Sequence, residues 1–130
     1  MRKRREQNMA NRVLLDANMI IRFLTRDHEE HYQKSVEIFS SIERGEVEAL
    51  LMDFIIAEVV YVLKRIYNHD KEAIASTLKK LLLYQYLYTK NKLVTFEALD
   101  IYVKDNIDFA DAMLGAKQRL EGFEIVSCSH

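Results

Sequence analysis

The chain has no proline, three glycines and a single cysteine in 130 residues. Gly45, Gly115 and Gly122 are scattered, and there is neither repeat nor low-complexity tract, so nothing marks an internal linker. No glycine-rich loop is present to cradle a phosphate. Cys128 has no partner for an internal bridge, so a reducing, cytoplasmic setting is expected, and the thiol could pair only between chains. No apolar run approaches the roughly eighteen residues that span a bilayer. The first, residues 13–15, is also too short for the apolar region of a secretory signal.

What is present describes one domain: 49% hydrophobic and 30% charged residues, in a chain long enough to bury a core without disulfide or metal. The net charge of −1 hides a split, because Arg2, Lys3, Arg4 and Arg5 cluster at the start. Without those four, fifteen basic residues face twenty acidic ones. A body of that sign argues against nonspecific nucleic-acid binding by bulk charge, and leaves room for local basic sites or a need for cations. Residues 1–11 are read as a flexible basic arm and residues 12–130 as the domain.

Polarity supplies the punctuation. Arg12-Val-Leu-Leu-Asp16 is a short apolar burst ending in an acid, the profile of a buried strand. Residues 18–25 and 32–44 follow as helices, the second carrying Tyr32, Val36, Phe39 and Ile42 on one stripe and closed by Gly45. Residues 48–52 read as a second strand, and residues 55–67 as a helix apolar almost all round, hence largely buried. Asp70 caps a helix running through Leu83, residues 86–89 form a short strand, and residues 96–104 a helix. Asp108 opens the last helix, Gly122 stops it, and residues 123–127 are expected as a final strand. Strands separated by helices imply crossover connections and a parallel sheet covered on both faces, with ligands at the carboxyl ends of the strands.

Four acids stand out against this frame. Asp16 ends the first strand and serves equally as a helix cap or as an oxygen ligand. Glu58 is a single charge in an apolar run and must meet a cation, a solvent-filled pocket or an arginine, since burying an unpaired carboxylate costs several kcal/mol. Asp108 and Asp111, three apart, suit either the capping of a helix or two ligands aimed at one point. Were the first strand, the apolar helix and the last helix to meet at one sheet edge, these acids would converge. A divalent cation would then offset their repulsion, and oxygen ligands without cysteine or paired histidine select Mg²⁺ or Mn²⁺ over zinc.

Val13-Leu-Leu-Asp-Ala-Asn-Met-Ile-Ile-Arg-Phe-Leu, Ile56-Ala-Glu-Val-Val-Tyr-Val-Leu and Ile107-Asp-Phe-Ala-Asp-Ala-Met-Leu-Gly-Ala together resemble the PIN domain, in particular VapC-type toxin ribonucleases. The resemblance runs from Arg12 to the end of the chain. It implies a three-layer α/β/α sandwich around a central parallel sheet. It also implies a metal-dependent endoribonuclease restrained by a VapB-like antitoxin and pairing as a homodimer. Carried over by position, Asp16, Glu58 and Asp111 hold Mg²⁺ or Mn²⁺, Asp108 is an auxiliary acid and Asn18 the polar residue beside the first. The implied chemistry is in-line hydrolysis of RNA phosphodiesters, the acids holding metal and not acting as nucleophile. Arg22 and Arg26, four apart, are candidates for flanking phosphates. One departure stands: after Ser127 the family pattern places an acid where this chain has Ser129, which puts a second ion in doubt and favours, as the alternative, a catalytically weakened PIN-like binding module.

Overall fold

The computed structural model of the protein describes residues 11–128. The basic arm expected over residues 1–11 therefore lies outside the described residues except for Asn11, which belongs to the first strand. In chain order the elements are β1 (Asn11–Leu14), α1 (Ala17–Thr25), α2 (Glu29–Glu43), β2 (Val47–Leu50), α3 (Asp53–Arg65), α4 (Lys71–Leu82), β3 (Leu87–Tyr88), α5 (Lys92–Lys104) and α6 (Phe109–Glu121). Among the described residues the sheet has three parallel strands in the order β1-β2-β3. Leu14 pairs with Leu50, and Leu50 with Tyr88. The ladder continues past β2, where the Leu51 amide donates to the Tyr88 carbonyl (2.8 Å).

Side chains alternate across a strand, and the sheet uses both phases differently. Leu15, Ala49, Leu51 and Leu87 enter the core, whereas Leu14, Leu50 and Tyr88 form an aligned apolar stripe on the other face, with Leu14 73% exposed. That stripe is open among the described residues, so β1 is not buried on both sides as its apolar run suggested. The core lies on the opposite face, where Ile20, Phe39, Ile42, Leu51, Ile56, Leu63, Leu87 and Leu99 are almost wholly excluded from solvent. Phe39 of α2 links α1 to the α4–β3 connection, stacked on Phe23 (centroids 4.3 Å apart) and meeting Tyr84 edge-on at 6.1 Å.

Helix ends follow the capping chemistry of the sequence. Asp70 accepts the Ala73 amide (2.8 Å), as its position predicted. Asn91 accepts the Leu93 and Val94 amides, so α5 begins at Lys92, four residues before the start expected at Phe96. Gly45 takes φ +78°, and its would-be Cβ lies 2.9 Å from the Tyr86 ring; both the left-handed backbone and the ring exclude a side chain there.

Two further expectations fail. Residues 123–127 form no ladder: among the described residues they run as coil sharing a surface cleft with Lys90 of the β3–α5 connection and with Leu114 and Lys117 of α6, and Val126 is 89% exposed. Alternating apolar residues become a strand only where an edge takes their N–H and C=O groups. Likewise α3 is not buried all round: Ile56, Val59, Val60 and Leu63 face the core, while Phe54, Glu58, Tyr61 and Arg65 are exposed. Truncating Phe39 to alanine should cost about 3–5 kcal/mol, from lost burial plus the cavity left by a side chain packed against two rings. Equilibrium urea unfolding of the parent and Phe39→Ala measures it, and a loss under about 1 kcal/mol would show that the layers do not depend on this side chain.

Candidate active site

Helix α3 packs against α1, α4 and α6, and this packing places the acid-bearing elements side by side. Asp16 follows β1 and occupies the N-cap of α1, where its Oδ1 accepts the Met19 amide (2.9 Å). The capping role is therefore real, and it uses one oxygen of two. Asn18 is exposed in the first turn of the same helix. Glu58 is exposed on α3, so it incurs no burial penalty. Asp108 has the extended backbone of an N-cap at α6 but makes no side-chain capping bond, and Asp111 is exposed in the first turn. Among the described residues none of these four acids is in an ion pair, which removes the arginine partner considered for Glu58.

The donor chemistry suits a hard divalent cation, being carboxylate oxygen throughout. The side chains are not gathered: among the described residues no group of three or more His, Cys, Asp and Glu is placed to hold one ion. Ser127 is described and exposed in the coil after α6, and Ser129 lies outside the described residues.

The two arginines considered for flanking phosphates have partners within the chain. Arg22 donates to Asp27 (3.3 Å). Arg26 is the left-handed C-cap of α1 (φ +54°) and so leaves the helix face; it pairs with Glu29 (3.7 Å) and lies over the Tyr32 ring at 4.5 Å. Asp27 collects three donors, Tyr67 Oη on Oδ2 (2.7 Å) and Thr25 Oγ1 (3.0 Å) and Arg22 on Oδ1, and so ties the α1–α2 turn to the end of α3. The Tyr67 hydrogen bond, aided by Thr25 and Arg22, holds its carboxyl below the usual range.

Sequence reasoning passed over a second set of residues. A cleft of about 530 Å³ between α3 and the start of α6 is lined by Tyr61, Lys64, Arg65, Lys71, Tyr102 and Asp108. Lys71 Nζ donates to the Ile107 carbonyl (3.0 Å) and sits over the Tyr102 ring at 4.4 Å. Burial, with the Asp108 carboxylate adding to it, pushes the Tyr102 phenol up. The signal available in the sequence was spacing: Glu58, Tyr61 and Arg65 fall on one helical face.

A family model described as PIN domain matches residues 13–128, and the chain belongs to that family. A comparison with curated proteins found no match. PIN domains are nuclease-type folds that generally depend on Mg²⁺ or Mn²⁺, and the expected α/β/α sandwich around a parallel sheet is this family's architecture. Among the described residues no helix is long and apolar enough to cross a membrane.

Two measurements probe the local chemistry. Asp16→Ala should lose about 1 kcal/mol of stability with its cap, whereas Asp16→Asn keeps an acceptor and the parent's stability; equal losses in urea titrations would contradict the capping bond. For Asp27 the folded-state carboxyl titrates below its unfolded value of about 3.9, so its contribution is complete above that value and is lost as pH falls through the lower folded value. Asp27→Asn should therefore melt below the parent at neutral pH, and the gap should close under about pH 4. A gap constant with pH in thermal melts would contradict this.

Proposed function

We propose that the protein is a metal-dependent endoribonuclease, the toxin of a toxin–antitoxin pair, acting in the cytoplasm as a homodimer and restrained by a VapB-like partner protein. Membership of the PIN family is the observation that carries this reading. It is supported by the packing of α3 against both α1 and α6, the elements on which Asp16, Glu58 and Asp111 are carried. Those three would hold Mg²⁺ or Mn²⁺, with Asp108 as auxiliary acid and Asn18 and Ser127 as supporting polar groups. The ion, when bound, supplies Lewis-acid polarisation of a phosphodiester and acidifies attacking water. The chain's own part is orientation. Asp16 is fixed by its bond to the Met19 amide, and the buried stripe of α3 sets the direction of Glu58.

A second reading, a weakened PIN-like binding module that keeps the fold without efficient cleavage, is favoured by one specific observation. Among the described residues no three acidic side chains are placed to share an ion. The serine at position 129 points the same way.

Cleavage of a single-stranded RNA pool should require added Mg²⁺ or Mn²⁺ and fall in Asp16→Asn. Partners outside a metal's direct ligands are alone worth about 10–100-fold, so losing a ligand should cost at least about 100-fold. Mn²⁺ should also raise the melting temperature of the parent more than that of Asp16→Asn, because a cation that binds only the folded chain stabilises it by mass action. Cleavage surviving EDTA or the Asp16→Asn change would sink the nuclease reading. Metal stabilisation without cleavage selects the binding module.

A further inference from the structure

We propose that the cleft between α3 and the start of α6 is a nucleotide-binding track for single-stranded RNA, with Tyr61 as the stacking platform for a base and Lys64 and Arg65 as the phosphate contacts. The inference rests on the nuclease reading above and names the residues that would hold its substrate.

Four observations carry it. Tyr61 is 58% exposed on a helix whose buried stripe is already complete, so its ring is not needed by the core. Arg65 lies over that ring at 5.7 Å, a cation–π contact that keeps its guanidinium beside the exposed aromatic. Neither Lys64 nor Arg65 is in an ion pair among the described residues, whereas Lys71 beside them is held by the Ile107 carbonyl and serves as a wall. Finally, the cleft adjoins the candidate acids: Asp108 is in its lining, and Glu58 precedes Tyr61 by three residues, about 4.5 Å along the axis.

The chemistry suits a polyanion with π-faces. A peptide that is only acidic would use the cations and one that is only apolar the ring, while a nucleotide uses both at every residue. The volume of about 530 Å³ falls in the range of about 300–1,000 Å³ typical of ligand clefts. Stacking tolerates any base, so the track positions a strand without reading its sequence.

The test separates binding from cleavage. Affinity for a short fluorescein-labelled single-stranded oligoribonucleotide is measured in EDTA by fluorescence anisotropy across a salt series, with circular dichroism of each variant as the folding control. Tyr61→Ala should weaken binding about fivefold or more, and Tyr61→Phe, which keeps the ring, should restore it. Lys64→Gln combined with Arg65→Gln should weaken binding and lower the slope of log Kd against log salt by about 0.7 per cation, while Lys64→Arg with Arg65→Lys preserves it. Parent-like affinity in Tyr61→Ala and in the double glutamine variant overturns the track and leaves the nuclease reading standing. A parent chain that neither binds nor cleaves RNA overturns both. If Tyr61→Ala leaves RNA affinity intact and converts a dimer to monomer in size-exclusion chromatography, the cleft is an interface between copies and the proposal fails.

Discussion

The buried stripe of α3 is the constraint from which the rest of the molecule takes its positions. Ile56, Val59, Val60 and Leu63 insert between α1, α4 and α6, and four such side chains fix the helix in rotation as well as in place. At about 1.5–3 kcal/mol for each buried aliphatic side chain, exposing all four by turning the helix would forfeit about 6–12 kcal/mol, comparable with a typical domain's whole margin of about 5–15 kcal/mol. Once that rotation is fixed, Glu58, Tyr61 and Arg65 have only the outer surface left to occupy. A core requirement thereby sets out a charged acid, an exposed ring and a cation in a line.

The carboxylates show why capping and ligation are not exclusive explanations. Asp16 caps α1 through Oδ1, and the same bond that stabilises the helix stops the side chain from rotating away from the end of β1. Asp108 is the converse case, with cap backbone but without the cap's hydrogen bond, so the start of α6 leaves its amides to other acceptors or to solvent. An N-cap acid that does not cap is open to other uses, and here it lies in the lining of the cleft.

Most of the fold was legible because its signals are local. Asp70 starts a helix and Gly45 ends one where side-chain acceptance and a left-handed backbone say they should, and the order of strands and helices follows from apolar bursts alternating with amphipathic stretches. The failures trace to information that is not local. Residues 123–127 have the pattern of a strand but pair with neither edge of the described sheet, and a local pattern cannot report whether an edge accepts it. Glu58 in its apolar run reads as buried, yet on a helix four consecutive residues point in four directions, and one of them was outward. Arg22 and Arg26 read as a pair of open cations. The partner that engages Arg22, Asp27, is itself fixed by Tyr67, forty residues further along. Nor could Asn91 be recognised as the cap of α5 while the helix was sought from its apolar stripe instead of from its first unpaired amides.

An acidic chain proposed to act on a polyanion needs its positive charge distributed unevenly, and the ion pairs leave it so. Of the fifteen basic residues among those described, seven are neutralised by acids of the chain: Arg12, Arg22, Arg26, Arg44, Lys79, Lys117 and Arg119. Three of the eight others, Lys64, Arg65 and Lys71, line a single cleft, and the carboxylate they share it with is Asp108. Pairing elsewhere reduces the number of competing sites for phosphate, so that a weak overall repulsion coexists with local attraction at this cleft. On the proposed reading, the same juxtaposition would make the cleft self-limiting at low metal. Uncompensated acids beside the cations would repel the strand the cations attract, and a divalent ion on those acids would strengthen RNA binding as well as supply the chemistry.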